Sequence, residues 1–146
     1  MSAITDTIVV PGSPGELHHL NAFLGAFWER HDLPLADAMR VELGLEEEFI
    51  NVVTHGLVGA DPATATVTVD LRLHDGQLEL AIEDPGPPFD PLHMGPVDTT
   101  SGMETRHLGG LGIHLVRTML DDVTYERRGD RNRLVMLARL GRGHGG

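Results

Sequence analysis

The sequence predicts an α+β fold, a two-layer α/β sandwich in which helices pack on one face of a mixed, mostly antiparallel sheet. Two observations carry this prediction: apolar residues recur at helical spacing between residues 13 and 57, and residues 65–84 and 123–140 alternate like paired strands. A length of 146 residues without an internal repeat predicts one domain over residues 1–140, followed by a flexible tail at 141–146.

The first half of the chain predicts a strand and two helices. β-branched residues form a strand that ends before Pro11. Ser13, Pro14 and Glu16 then give the pattern of a helix start, with Ser13 as the N-cap. The predicted elements are a strand over 4–10, a helix over 13–30, and a long helix from 35 to 56 or 57.

The second half predicts two hairpins separated by a long loop and a helix. Asp75-Gly76 is a strong turn signal between two alternating strands. Residues 85–107 are rich in Pro and Gly without a period, and a loop of this length is usually functional or disordered. The predicted elements are strands over 65–73 and 78–84, a helix over 110–120, and strands over 123–127 and 134–140 that turn at 129–132.

Charge and composition exclude several classes of function. The formal net charge of −11 argues against binding to DNA, RNA or anionic lipid, which needs a positive surface. The chain has no cysteine, so disulfides and thiolate metal sites are excluded. No apolar run approaches the roughly 18 residues of a membrane span, and the start shows no signal-peptide pattern, so a cytoplasmic protein is expected. An anionic ligand would need backbone N–H groups at a helix start and a divalent cation.

The end of the long helix carries a carboxylate and an amide on one polar face. On a helical wheel Asn51 lies about 40° from Glu47, beside an apolar stripe that faces the core. A carboxylate can accept the proton of an attacking hydroxyl, and an amide oxygen is a suitable ligand for Mg²⁺. Glu47 is therefore the candidate catalytic base and Asn51 the candidate metal ligand, whereas Glu46 and Glu48 are expected to face solvent.

A second candidate segment is the acidic turn after the strand over 78–84. The carboxylate of Asp84 can accept a hydrogen bond from an exocyclic amine such as that of adenine. It would discriminate against guanine, which has a carbonyl at the corresponding position. Gly86 would let a flat ring approach the backbone closely.

Two ring side chains accompany these segments. Phe89 is expected to pack beneath the ligand rather than to stack on it. For His55 two interpretations stay open. It either caps the helix C-terminus, with Gly56 in the left-handed conformation, or contributes to ligand binding.

A third segment is a glycine turn that opens the last helix, formed by Gly109, Gly110, Leu111 and Gly112. Unblocked N–H groups at such a turn can face a phosphate, and the helix dipole favours the negative charge. Arg106 lies just before the turn and could contact phosphate or a protein partner.

The three segments together resemble the GHKL ATPase superfamily, and within it the RsbW-type anti-sigma factor serine kinases. Glu47 and Asn51 look like the N box of these proteins, Asp84-x-Gly86 like the G1 box, and Gly110-Leu111-Gly112 like the G2 box. The closest matches are residues 84–91 and 109–117, and the resemblance covers nearly the whole chain.

The resemblance implies a Bergerat ATP-binding fold that holds ATP and Mg²⁺. It implies that Asn51 binds the metal, that Glu47 activates the attacking hydroxyl, and that Asp84 reads adenine. The lid over ATP would lie between Pro91 and Leu108. The implied partners are a sigma factor, which is sequestered, and a STAS-domain anti-anti-sigma protein, which is phosphorylated on Ser or Thr. Many members of the family dimerise, so a homodimer is a further expectation.

Two departures from the family pattern and three alternatives limit this interpretation. Leu108 replaces the first glycine of the fuller Gly-x-Gly-x-Gly pattern, and Gly129-x-x-Asn132 is a loose version of the third glycine box. A nucleotide-gated binding module without phosphotransfer is the main alternative. The ATP-binding part of a histidine kinase is disfavoured because no long dimerisation helix with a phosphoacceptor His precedes the domain. A hydrolytic ATPase of the gyrase or chaperone type is disfavoured because the transducer domain is missing.

Overall fold

The computed structural model describes residues 3–57, 59–61, 64–93 and 116–141. Within these ranges it contains a five-stranded sheet and two long helices. The strands are β1 (Ile4–Pro11), β2 (Thr66–His74), β3 (Gln77–Asp84), β4 (Asp122–Arg128) and β5 (Arg131–Arg139), and the helices are α1 (Leu17–Arg30) and α2 (Leu35–Asn51). Short 3₁₀ turns lie at Pro14–Glu16 and Pro91–His93, and residues 116–119 are helical.

The sheet has the strand order β1-β2-β3-β5-β4, and every pairing among the described strands is antiparallel. The predicted α+β class is therefore confirmed. The sequence predicts a mixed, mostly antiparallel sheet, whereas the described strands form an entirely antiparallel one. The β2–β3 hairpin turns at Asp75 and Gly76, whose φ angles are 52° and 73°. Positive φ at both central positions is the geometry that an Asp-Gly turn favours.

The hydrophobic core lies between the two helices and one face of the sheet. Apolar residues of α1 and α2 recur every three or four positions, so each helix turns one stripe toward the strands. The inward residues of the strands alternate with outward polar ones, as in β2 and β5. The largest fully buried apolar side chains are Leu20, Phe27, Leu45, Phe49, Val67, Val69, Leu71, Leu78, Leu80, Ile82 and Val116.

The helix ends differ from the prediction in two ways. Ser13 precedes the first turn and Pro14 opens it, but the Ser13 side chain makes no capping hydrogen bond. The long helix extends to Gly56, as expected, yet its last five residues, Val52–Gly56, form a π-helix. π-Helical turns are frequent at functional sites because they displace the side chains that follow. Across the part of the chain that the structure describes, no helix is both long and apolar enough to cross a membrane.

Candidate active site

The last turn of α2 places three polar side chains at the edge of the core. Asn51 is fully buried and Glu48 is only 3% exposed, whereas Glu47 is partly exposed. Glu47 and Asn51 lie one turn apart on α2, the spacing at which two residues share a face of a helix, as the helical wheel predicts. The expectation that Glu48 faces solvent is wrong, because it lies next to the apolar stripe and the core covers it.

The amide of Asn51 has one satisfied and one unsatisfied end. Its Nδ2 donates a hydrogen bond to Oε1 of Glu48 at 3.3 Å. Its Oδ1 is buried and accepts no hydrogen bond from the residues that the structure describes. A buried amide oxygen without a donor costs about 1–3 kcal/mol, and an ion or a water commonly satisfies such an atom. Mg²⁺ prefers oxygen ligands and keeps phosphates and waters as its others, so this atom fits the expected metal.

The environment of Glu48 changes its acidity. Burial raises the pKa of Glu48 from 4.5 to about 8; the hydrogen bond from Asn51 opposes this rise, and the charges of Asp84 and Asp90 add to it. A raised pKa means that the folded protein binds this proton more tightly than the unfolded chain. Burial of Glu48 therefore lowers the stability of the fold as the pH rises from about 4.5 to about 8.

The carboxylate of Asp84 lies at the end of β3 and uses one oxygen to fix the following turn. Its Oδ1 accepts hydrogen bonds from the Gly86 amide at 2.8 Å and from Asn132 Nδ2 at 3.1 Å. Its Oδ2 lies beside Gly56, at 3.5 Å from the position of a Cβ on that residue. Burial raises the pKa of Asp84, and the hydrogen bonds from Asn132 and Gly86 oppose the rise. The carboxylate thus has one oxygen that two hydrogen bonds orient, and its other oxygen lies beside Gly56.

Asn132 joins the two sides of this turn. It was expected in the β4–β5 turn, but it lies within β5, directly opposite Asp84, and is 3% exposed. Its Nδ2 also donates to the Pro87 carbonyl at 2.8 Å, and its Oδ1 accepts from the Phe89 amide at 3.1 Å. An amide that pairs in several directions fixes its neighbours, so Asn132 holds both the carboxylate and the chain that follows it.

Two side chains of β4 support Asn132 from the other side. The hydroxyl of Tyr125 donates to Asn132 Oδ1 at 2.6 Å, and Arg127 Nη1 donates to the same oxygen at 3.2 Å. Arg127 Nη1 also donates to the Gly86 carbonyl at 2.7 Å. The acidic turn is therefore held by side chains from the neighbouring hairpin.

Gly86 has a packing role that the sequence does not reveal. A Cβ on Gly86 would fall on the carbonyl oxygen of Gly56, inside van der Waals contact, and would lie 2.8 Å from the carbonyl carbon. The backbone of the acidic turn therefore crosses the end of the π-helix Val52–Gly56. The two residues that meet there, Gly86 and Gly56, both lack a side chain. Glycine is required at position 86 because the Gly56 backbone approaches closely, and not only to leave room for a ligand.

The two ring side chains, His55 and Phe89, lie next to each other near this crossing. The His55 and Phe89 ring centroids are 5.9 Å apart, with an interplanar angle of 32°. Phe89 Cδ2 lies 3.7 Å from the Cβ position of Gly56, so the ring covers that glycine. Gly56 is not left-handed but belongs to the π-helix, and the predicted glycine cap is therefore wrong.

The remaining predicted site residues lie outside the described residues. These are Arg106, Gly109, Gly110, Leu111 and Gly112. Among the described residues, direct contacts join Asp84 to Gly86 and His55 to Phe89, and both pairs lie beside Gly56. Asn51 contacts Glu48, and Glu47 lies one helical turn before Asn51 on α2.

Sequence reasoning missed the buried roles of Glu48, Asn132, Tyr125 and Arg127. For Glu48 a signal was present, because it lies about 20° from the edge of the apolar stripe on the wheel. For Asn132 the signal is the register of β3 against β5, and for Tyr125 and Arg127 it is the register of β4 against β5, neither of which local patterns contain.

Comparisons with known proteins show which family and which relatives this chain is similar to. The Histidine kinase-like ATPase domain matches residues 10–138. A relative named serine-protein kinase RsbW, from Listeria monocytogenes, is 30% identical over 87 residues, which are 57% of this chain and 54% of that protein. A protein of the same name from Bacillus pumilus is 25% identical over 118 residues, 78% of this chain and 73% of that protein. The aligned part thus spans about half the length of the Listeria relative.

Two solved structures share the fold at low sequence identity. The RsbU and RsbW domains of a Mycobacterium tuberculosis protein match with a TM-score of 0.66 at 14% identity, covering 96% of this chain and 33% of that one. The SiaB-SiaC complex from Pseudomonas aeruginosa matches with a TM-score of 0.55 at 15% identity, covering 91% of this chain and 88% of that one. Because the domain match extends over residues 10–138, the chain belongs to the Histidine kinase-like ATPase domain family, as its motifs predict.

Proposed function

We propose that this protein is an ATP-binding serine/threonine protein kinase of the anti-sigma factor type, which works in a partner-switching system. Its substrate would be a STAS-domain anti-anti-sigma protein, its second partner a sigma factor, and its cofactor Mg²⁺. Relatives named serine-protein kinase RsbW and a structural neighbour solved as a two-protein complex support this proposal.

One observation carries the proposal more than any other. A buried amide oxygen without a donor, on Asn51, lies one helical turn after the partly exposed carboxylate of Glu47. This pair can divide the work of phosphoryl transfer, because the amide can bind a hard cation and the carboxylate can accept a proton. Asp84 supplies the third element, an acceptor for the adenine amine.

The residues would act as follows. Asp84 Oδ2 accepts a hydrogen bond from the exocyclic amine of adenine, and Asn51 Oδ1 holds the metal. When bound, Mg²⁺ neutralises charge on the phosphates. The substrate Ser or Thr oxygen forms a bond to the γ-phosphorus while the bond to the β–γ bridging oxygen breaks and ADP leaves. Glu47 takes the hydroxyl proton.

A second function uses the same site without chemistry. The protein would then bind ATP only to change its affinity for a partner. The groups that would hold the nucleotide, Asn51 and Asp84, do not depend on Glu47, so the site can bind ATP even if no proton is transferred. Transfer of the γ-phosphate to a co-purified STAS-domain partner distinguishes the two functions.

Asn51→Ala is expected to weaken binding of Mg·ATP strongly, since the variant loses its candidate metal ligand. Loss of a buried polar ligand predicts a decrease in Mg²⁺-dependent affinity of about 10–100-fold, measured by titration calorimetry in Mg²⁺ and in EDTA. The affinity in EDTA should stay close to that of the wild type. Equal affinities for Mg·ATP in wild type and variant would show that Asn51 is not a metal ligand. Absence of ATP binding by the wild type would refute the proposed function.

Asp84→Asn is expected to reduce the preference for ATP over GTP. The donors from Gly86 and Asn132 keep an oxygen at the Oδ1 position, so the new NH₂ group takes the place of Oδ2. It would face the adenine amine as a second donor but could donate to guanine O6. Loss of one hydrogen bond to a charged group costs about 1.5–3 kcal/mol, so ATP affinity should fall about 10–100-fold. Competition of ATP and GTP for a fluorescent nucleotide measures this, and an unchanged ratio would contradict the role of Asp84.

A further inference from the structure

We propose that Glu48 is a positioning residue that orients the Asn51 amide, so that the oxygen of this amide, not its nitrogen, is presented to the metal–nucleotide complex. The inference rests on the function proposed above and assigns a role to a residue that the helical wheel leaves outside the site.

The contact between the two side chains defines the orientation of the amide. Nδ2 of Asn51 donates to Oε1 of Glu48, and both residues are at most 3% exposed. The backbone of Asn51 is regular α-helix, with φ −57° and ψ −45°. Its amide direction is therefore set by side-chain rotation alone. With Oε1 as the acceptor, the reversed amide would put Oδ1 of Asn51 against this oxygen, also when the other carboxyl oxygen carries a proton, so the contact selects one orientation.

The packing around Glu48 does not require a carboxyl. Its neighbours along the helix, Leu45, Phe49 and Val52, are buried apolar residues of the core. The charges of Asp84 and Asp90 also act unfavourably on Glu48. A buried carboxyl in such a place costs stability, and an apolar side chain of the same length would pack there without that cost. The contact with Asn51 is the one described interaction that a carboxyl gains at this position and an apolar residue would lose.

The same contact explains why Asn51 Oδ1 has no donor. The helix fixes the Cβ of Asn51, and Glu48 takes the Nδ2 end, which leaves Oδ1 directed away from Glu48. Residues that orient a metal ligand in this way affect metal affinity although they do not touch the metal, typically by 10–100-fold.

The test compares Glu48→Met, which removes the acceptor at similar length, with Glu48→Gln, which keeps it. Glu42→Met is the matched control, since Glu42 is an exposed residue of the same helix. Calorimetry with ATP, in Mg²⁺ and in EDTA, should show about 10–100-fold weaker Mg²⁺-dependent binding for Glu48→Met and wild-type binding for Glu48→Gln. Binding in EDTA should be the same for all variants.

A second measurement needs no nucleotide. The Asn51 side-chain amide resonances, assigned by their loss in Asn51→Asp, should shift in Glu48→Met and stay near their wild-type positions in Glu48→Gln. Unshifted resonances in Glu48→Met, or wild-type Mg·ATP affinity in this variant, would overturn the inference. Absence of ATP binding by the wild type would instead refute the proposed function, and the resonances would then still report whether Glu48 orients Asn51.

Discussion

Glu47→Gln is expected to bind Mg·ATP like the wild type and to lose phosphotransfer by about 10²–10⁴-fold, the usual contribution of a general base. The substitution keeps the length and the hydrogen-bonding capacity of the side chain but removes its ability to take a proton. Glu47 is partly exposed on α2, so the helix should fold unchanged. The measurement is the rate at which ³²P passes from γ-labelled ATP to the proposed STAS-domain partner under single-turnover conditions.

Glu46→Gln is the matched control for this prediction. It makes the same charge change in the same run of carboxylates, but Glu46 accepts a hydrogen bond from Asn21 of α1 at 3.1 Å and lies away from Asn51. Its transfer rate should equal that of the wild type. Equal loss in both variants would mean that net charge, not a base at Glu47, sets the rate. Full phosphotransfer activity of Glu47→Gln would show that Glu47 is not the general base.

The elements that the sequence predicted best are those with a local period. The strand alternation of β2 and β3, the Asp75-Gly76 turn and the apolar stripe of α2 are properties of neighbouring residues, and each is found where expected. The same stripe placed Glu47 and Asn51 on one face of the helix. Local physics was sufficient for these features because no distant contact competes with it.

The features that were missed depend on contacts between distant segments. Asn132 reaches Asp84 across 48 positions because β5 pairs with β3 in one particular register. A shift of this register by one residue would turn Asn132 to the other face of the sheet. The sequence predicts a solvent-facing Glu48 because glutamate is rarely buried, whereas in the structure Glu48 is buried and hydrogen-bonded to Asn51.

Gly86→Ala is expected to destabilise the fold by about 3 kcal/mol or more, at the upper end of the cost of overpacking. The added methyl group would fall on the Gly56 carbonyl oxygen and lie 2.9 Å from Asp84 Oδ1. The first contact is backbone and the second is held by hydrogen bonds, so neither atom can move away cheaply. For a chain of this length the loss corresponds to a decrease in melting temperature of about 10 °C, measured by calorimetry or circular dichroism.

Gly25→Ala provides the control, because a Cβ at Gly25 of α1 meets nothing within 4 Å. Alanine there should raise stability by about 0.5–1 kcal/mol, since glycine is unfavourable inside a helix. The pair separates two reasons for a glycine at position 86. If ligand approach alone required it, Gly86→Ala would melt like the wild type and lose only nucleotide affinity. A large fall in melting temperature in the absence of nucleotide would show that glycine at position 86 is needed for the backbone contact with Gly56. This contact is then part of the folded protein without a ligand.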